Sequence, residues 1–324
     1  MPLLAAPDKF RGSLTASEAA RALAKGAGQP CRELPLADGG EGTLEVLGGA
    51  NRATCVTGPL GEPVESGWRL DGGTAVIEAA RASGLLLAGG AAANDPLNAT
   101  TRGTGELIAA ALAGGAREVI VAVGGSATTD GGRGAVEALG GEPFRVPVRV
   151  ACDVQTLFVD AATLFAPQKG ATPEQVELLS RRLAELAARY GAGVSSLPGS
   201  GAAGGLAGGL ASLGAELVPG FALVAAHTGL EPALDDVELV LTGEGRLDST
   251  SFDGKVVGGV LDACARRGIP AIVIAGAVEP GLTVPAPTYS LVERFGQERA
   301  YAEAEACLTE LAAEATGRPT RSGP

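Results

Sequence analysis

Histidine is almost absent: His227 is the one example among 324 residues. That excludes multi-histidine metal centres. A Ser-His-Asp triad would have to use His227, which lies in the apolar run Leu223-Val-Ala-Ala-His227 and reads as structural. Carboxylates and lysines must then carry any proton and charge chemistry. Aromatics are also scarce, at 3%, so the 46% of hydrophobic residues must pack through Leu, Val, Ile and Ala. The five cysteines (Cys31, Cys55, Cys152, Cys264 and Cys307) form no C-x-x-C pair, which argues against a zinc or thioredoxin-type site. Their odd number, with no signal-peptide pattern, leads us to expect a reducing cytoplasm. No apolar stretch is long and clean enough for a transmembrane helix, so no membrane partner is expected. A net charge of −12 gains nothing from counterion release on DNA or RNA, so no nucleic-acid partner is expected either. The chain has no G-x-x-x-x-G-K-[ST] and is not a P-loop NTPase by motif.

What is present points to an α/β protein. The length suggests roughly two domains. Its 50 glycines are not periodic and suit tight turns and close backbone approach. Short apolar runs at Leu3–Ala6, Glu118–Val123, Val148–Cys152, Val237–Leu241 and Ala271–Ile274 read as buried parallel strands. Helical patterns separate them. Thr15-Ala-Ser-Glu18 has the form of a capping box, for a helix ending near Gly26. Thr172-Pro-Glu-Gln175 opens a helix with Val176, Leu179, Leu183, Leu186 and Tyr190 on one stripe. Thr104 is predicted to cap a helix running to Gly114, and another helix is predicted from near Gly131 to Gly140-Gly141. Val56–Val64 and Ser66–Ile77 look like hairpin strands. The tail from Ala315 to Pro324 is predicted to fray. In such alternating folds ligands collect outside the carboxyl ends of the strands.

Several loops at those ends could carry chemistry. In Asp38-Gly-Gly-Glu-Gly-Thr43 the glycines allow the backbone to approach a phosphate, and Asp38 and Glu41 could hold Mg2+ or accept a substrate hydroxyl. The competing reading is a tight turn with solvated acids. Gly124-Gly-Ser-Ala-Thr-Thr-Asp-Gly-Gly132 offers hydroxyls, amides and one carboxylate, or else a turn capped by Asp130. Thr242-Gly-Glu-Gly-Arg-Leu-Asp248, with Lys255 shortly after, combines the acids and cations that phosphoryl transfer needs, or else forms a surface ion-pair cluster. Pro167-Gln-Lys-Gly170 adds a lysine. Gly199-Ser-Gly-Ala-Ala-Gly204 matches G-x-G-x-x-G, but Ser195–Pro198 before it is a poor strand. We read it as a glycine-rich turn entering a closely packed Ala/Gly helix.

In order, Ala6-Pro-Asp-Lys-Phe-Arg-Gly-Ser-Leu14, Ala37–Thr43, Gly124–Gly132, Ala151-Cys-Asp-Val154, Pro167-Gln-Lys-Gly-Ala171 and Thr242–Asp248 resemble the motifs of the bacterial glycerate kinase family, of the glycerate 2-kinase type. The resemblance runs from near residue 4 to about residue 276. It implies ATP, Mg2+ and D-glycerate, with phosphoglycerate and ADP as products. It also implies a Rossmann-like parallel-sheet domain (residues 1–52 and 230–324), an inserted mixed α/β domain (53–229), and a site in the cleft between them. The expected catalytic residues are Asp248, Asp38, Lys9, Arg246 and Lys255. Asp8, Arg11, Ser13, Gly39, Gly40, Glu41 and Thr43 are expected to bind glycerate. Gly124, Gly125, Ser126, Thr128, Asp130 and Lys169 are expected at the nucleotide, with Asp153 and Glu244 at Mg2+. Two features depart from the family pattern. Only Glu142–Pro147 precede the Val148 strand, where the family usually has an extended loop. Gln155-Thr156-Leu157 stands where the family tends to show Asn-Pro, so the resemblance is least direct at Asp153. Two other classes compete: an NAD-dependent dehydrogenase using the Gly199 loop, and a non-catalytic metabolite-binding protein. The expected partner is the small molecule itself, with a homodimer left open.

Overall fold

The structure, a computed structural model, describes residues 2–317. It forms two compact units, one from residues up to Asp38 together with Phe221 onward, the other from Gly39 to Gly220. In chain order the strands are β1 (Leu3–Ala5), β2 (Cys31–Glu33), β3 (Arg52–Thr57), β4 (Pro63–Asp71), β5 (Thr74–Glu78), β6 (Glu118–Ala122) and β7 (Val148–Cys152). They continue with β8 (Glu216–Pro219), β9 (Leu239–Thr242), β10 (Arg246–Leu247), β11 (Ala271–Ala275), β12 (Ala277–Val278) and β13 (Thr288–Ser290).

The first unit is a Rossmann-like, doubly wound layer. Its sheet has the order β13-β11-β9-β1-β2 and is parallel throughout. Successive residues of β1 feed opposite faces, as strand geometry requires. Leu3 and Ala5 pack with Leu23, Leu308 and Leu311 on one side, and Leu4 and Ala6 with Leu234, Val256 and Val260 on the other. The chain leaves β1 to form β2 on one side and returns at β9 on the other, so the strand order reverses between β1 and β9. In such sheets ligands bind outside the carboxyl ends of the strands at that reversal.

The second unit is mixed α/β, with the order β3-β4-β5-β6-β7-β8. The β3-β4-β5 part is antiparallel, as the hairpin patterns predict, and β5 to β8 run parallel. Ala75, Ile77, Val119, Val121, Val148 and Val150 pack one face against Leu107, Ile108, Leu206 and Leu210. A second core gathers Phe158 with Leu179 and Leu183 of the predicted apolar stripe.

Both capping boxes form. Thr15 and Glu18 exchange bonds at the start of the helix Ala16–Ala27, and Thr172 and Gln175 do so at the start of Pro173–Tyr190. Thr104 is not a cap. The helix Arg102–Ala113 starts earlier, after Thr101, and the buried Thr104 hydroxyl instead bonds Ser83 at 2.9 Å. The helix expected from Gly131 spans only Arg133–Ala138. Of the predicted frayed tail, the last helix includes Ala315 and residues 318–324 lie outside the described residues. No helix of the described residues is long and apolar enough to cross a membrane.

Candidate active site

In the first unit, the loops after β1, β2 and β9 converge at the strand-order reversal. Backbone pairing continues past the strands: Ala6 N–H donates to Leu241, Asp8 N–H to Gly243, and Leu36 N–H to Pro7. This brings Asp8, Lys9, Asp38 and Glu244 into one neighbourhood. Lys9 Nζ lies 3.6 Å from Asp8 Oδ1 and 3.8 Å from Asp38 Oδ1. Asp8 is buried, and burial pushes its carboxyl up to about 6; Lys9 opposes that shift and Asp38 adds to it. Burial likewise pushes Glu244 up to about 7, against the Ser251 hydroxyl, which lowers it. Glu244 Oε1 is buried without a hydrogen-bond partner.

The glycines flanking Glu244 explain how it reaches this position. A Cβ on Gly243 would overlap the Ile274 carbonyl oxygen, and one on Gly245 would lie 2.8 Å from Arg11 N and 3.1 Å from Phe10 Cα. Gly243 therefore lets the β9 loop press its backbone onto β11, and Gly245 lets it press onto the Phe10–Arg11 backbone.

Asp248 has another task. Its Oδ1 accepts from the Thr250 N–H at 2.9 Å and the Thr250 hydroxyl at 2.7 Å, which holds its carboxyl below the usual range. Lys255 Nζ donates to the same hydroxyl at 2.9 Å, so acid, hydroxyl and lysine form a relay. Arg11, Ser13 and Arg246 are exposed, and the Ser13 hydroxyl closes a turn onto Phe10 O. His227 is occupied within its own helix, with Nδ1 2.8 Å from Leu223 O.

In the second unit, the Gly39–Thr43 loop lies against the loop after β6. A Cβ on Gly124 would sit 2.6 Å from Gly40 Cα, and one on Gly39 would sit 2.8 Å from Ala151 Cβ. These glycines thus have a packing reason besides any ligand. Glu41 is half-buried, while Thr43 is buried and donates to Gly40 O at 2.7 Å. Glu78, a carboxylate that sequence reasoning missed, accepts from Gly42 N and Leu44 N at 3.2 and 3.3 Å. No motif spacing could reveal it, because it comes from β5, more than thirty residues along the chain.

Lys169 is buried beneath the β6 loop. Its Nζ donates to Ser126 Oγ at 2.9 Å and to Thr128 O at 2.6 Å. Burial pulls its pKa down to about 7, with Asp130 acting in the opposite sense. Asp130 itself is a structural hub: its carboxylate accepts from Thr101 N–H and hydroxyl, Gly132 N–H and Gly134 N–H. Burial raises its pKa despite those bonds. Gly125 takes a positive φ of 74° at the loop's turn. Asp153 is exposed beyond the end of β7. The Gly199 motif follows the helix Ala192–Ser195, not a strand, so it lacks the context of a dinucleotide fingerprint. Its Gly199 and Gly201 instead pack on Cys152 and Leu157.

Among the described residues, no group of three or more His, Cys, Asp or Glu is arranged to hold a metal ion. Glu244 nevertheless suits a hard divalent cation, since its buried oxygen lacks any other partner.

Comparison with known proteins bears on this arrangement. The model of the glycerate kinase family matches residues 3–145 and 142–318, two stretches that meet at the short Glu142–Pro147 connection. The glycerate 2-kinase of Escherichia coli is 41% identical, over 86% of this chain and 86% of its own length. The glycerate kinase of Bacillus subtilis is 40% identical, over 86% and 85%. A crystal structure from Salmonella typhimurium LT2, provisionally assigned as glycerate kinase 2, superposes with a TM-score of 0.80. It is 35% identical and covers 98% of this chain and 97% of its own.

Proposed function

The chain belongs to the glycerate kinase family and is a kinase, and from that premise we propose that it transfers the γ-phosphoryl group of ATP to D-glycerate, forming 2-phosphoglycerate. The observation that carries the reading is the grouping of Asp8, Lys9, Asp38 and Glu244 where the strand order reverses. Phosphoryl transfer asks a protein chiefly for positioning and charge stabilisation. Lys9 and Arg11 pair with the glycerate carboxylate. Asp38 accepts the proton of the attacking hydroxyl, or orients that hydroxyl. Asp248 stays ionised and, through Thr250, holds Lys255 towards phosphoryl charge, which Arg246 also faces. Lys169 acts from below, fixing Ser126 and Thr128 for the nucleotide phosphates. Glu244 is the residue that would hold Mg2+, which when bound would supply Lewis-acid neutralisation of phosphoryl oxygens. All five cysteines are free, which supports a reducing, cytoplasmic setting.

The test is 31P NMR of the purified protein with ATP, Mg2+ and D-glycerate. A phosphate-monoester signal of 2-phosphoglycerate supports the full reading, whereas 3-phosphoglycerate keeps the kinase and changes the hydroxyl. No transfer to glycerate or other small hydroxy acids from folded protein would sink it. Asp38→Ala and Asp248→Ala should each lower kcat by about 10²-fold or more. Full activity in both folded variants would remove them from the mechanism.

A further inference from the structure

We infer that Glu78 is a positioning residue for glycerate, holding the Gly39–Thr43 loop in the shape that presents its backbone amides to the substrate. This rests on the reading above that the loop following Asp38 takes part in glycerate binding. Glu78 ends β5 and is 2% exposed. A buried carboxylate is costly, and an apolar side chain would fill the same space at lower cost. The charge of Arg81 favours the carboxylate, but its guanidinium bonds Glu45 at 2.5 Å, and among the described residues no Arg or Lys is hydrogen-bonded to Glu78. What Glu78 does hold is backbone. One oxygen, Oε2, accepts from both Gly42 N and Leu44 N.

Those amides open the helix Thr43–Val46, whose N-cap residue is Gly42, at φ 93°, with no side chain to cap it. Glu78 supplies the missing cap from another element. On the other side, Gly124 packs against Gly40. The loop is therefore held by a carboxylate at one end and by backbone contact at the other. Removing the carboxylate leaves the fold's cores intact and frees the loop. This is how supporting residues act on a site they do not touch.

Steady-state kinetics of the full chain test the inference, with glycerate and ATP varied separately. Glu78→Ala should raise the KM for glycerate about tenfold or more, equivalent to about 1.4 kcal/mol, while the KM for ATP stays within about twofold. Glu78→Gln keeps an oxygen able to accept both amides and should return the glycerate KM to within about threefold of wild type. If Glu78→Ala does not fold, Glu78→Asp replaces it: the charge stays but the oxygen is withdrawn by one methylene, and the glycerate KM should again rise. Unchanged glycerate KM in a folded Ala or Asp variant overturns the inference. So does an equal rise in both KM values, or a Gln variant no better than Ala. Hydrogen exchange at the Gly42 and Leu44 amides separates this from failure of the proposed reaction. If wild type phosphorylates no glycerate, the catalytic reading fails. Faster exchange at those two amides in the Ala or Asp variant, but not in Gln, would still establish the clamp, and unchanged exchange would overturn it.

Discussion

Lys169 concentrates the energetic tension of the site. Burial destabilises this cation by more than the Asp130 charge favours it, and its pKa falls to about 7 from the ordinary 10.5. Between those values the unfolded chain binds a proton that the folded one does not, so the lysine makes stability rise with pH across roughly 7 to 10.5. Below about 7 both states are protonated and its penalty is full and constant. Lys169→Met should therefore gain on wild type most below pH 7. That gain should shrink as pH rises, by up to about 1.4 kcal/mol per unit, and urea melts of both proteins at pH 6 and pH 9 measure it. A difference independent of pH would mean that Lys169 keeps an ordinary pKa. Asp130 shows the opposite economy: it satisfies three amides and one hydroxyl. Asp130→Ala strands those donors, and at about 1–3 kcal/mol for each buried unpaired group the loss should exceed about 3 kcal/mol; thermal melting with the same signal for wild type and variant reads it. Residues like these set the limit of what sequence shows. Asp8, Asp38 and Glu244 stand out because they follow apolar runs, and strand order then brings them together. Asp130 is visible as a residue but not as a hub, since Thr101 comes from a distant segment, and Glu78 has no motif at all.

At the scale of elements, local chemistry was legible wherever it was self-contained. The Thr15/Glu18 and Thr172/Gln175 boxes satisfy helix ends within four residues, and both form. The Thr104 helix start failed because its hydroxyl is claimed by Ser83 through tertiary packing, which no local pattern encodes. Scarcity of aromatics has a counterpart in how helices meet. The helices Ala16–Ala27 and Ala304–Ala315 approach until a Cβ on Gly26 would overlap the Thr309 carbonyl oxygen and lie 2.7 Å from Ala312 Cβ. Propensity alone favours Gly26→Ala by about 1 kcal/mol. Overpacking against backbone opposes it by about 1–3 kcal/mol. Packing should win, and the variant should melt below wild type. A higher melting temperature would show that the helices can separate without loss.

For the whole molecule, the question is whether the second unit stands alone. It owns its six-stranded sheet and the cores that cover it. Its two ends are neighbours, since a Cβ on Gly39 would lie 2.9 Å from Gly220 Cα. A segment whose ends meet can be inserted into another domain without straining it. Residues 39–220 expressed alone should then fold cooperatively, with one sigmoidal transition by circular dichroism and dispersed amide resonances, and on the proposed mechanism should lack kinase activity without Asp8, Lys9 and Asp38. The exact cut matters. A fragment of residues 53–229, the span expected from sequence, omits the loop and short helix that Glu78 caps. Losing the partners of that buried carboxylate should cost about 1–3 kcal/mol, so the shorter fragment should unfold at lower urea. Equal midpoints for the two fragments would place residues 39–52 outside the unit's cooperative structure, and an unfolded 39–220 would mean that the insertion depends on the chain around it.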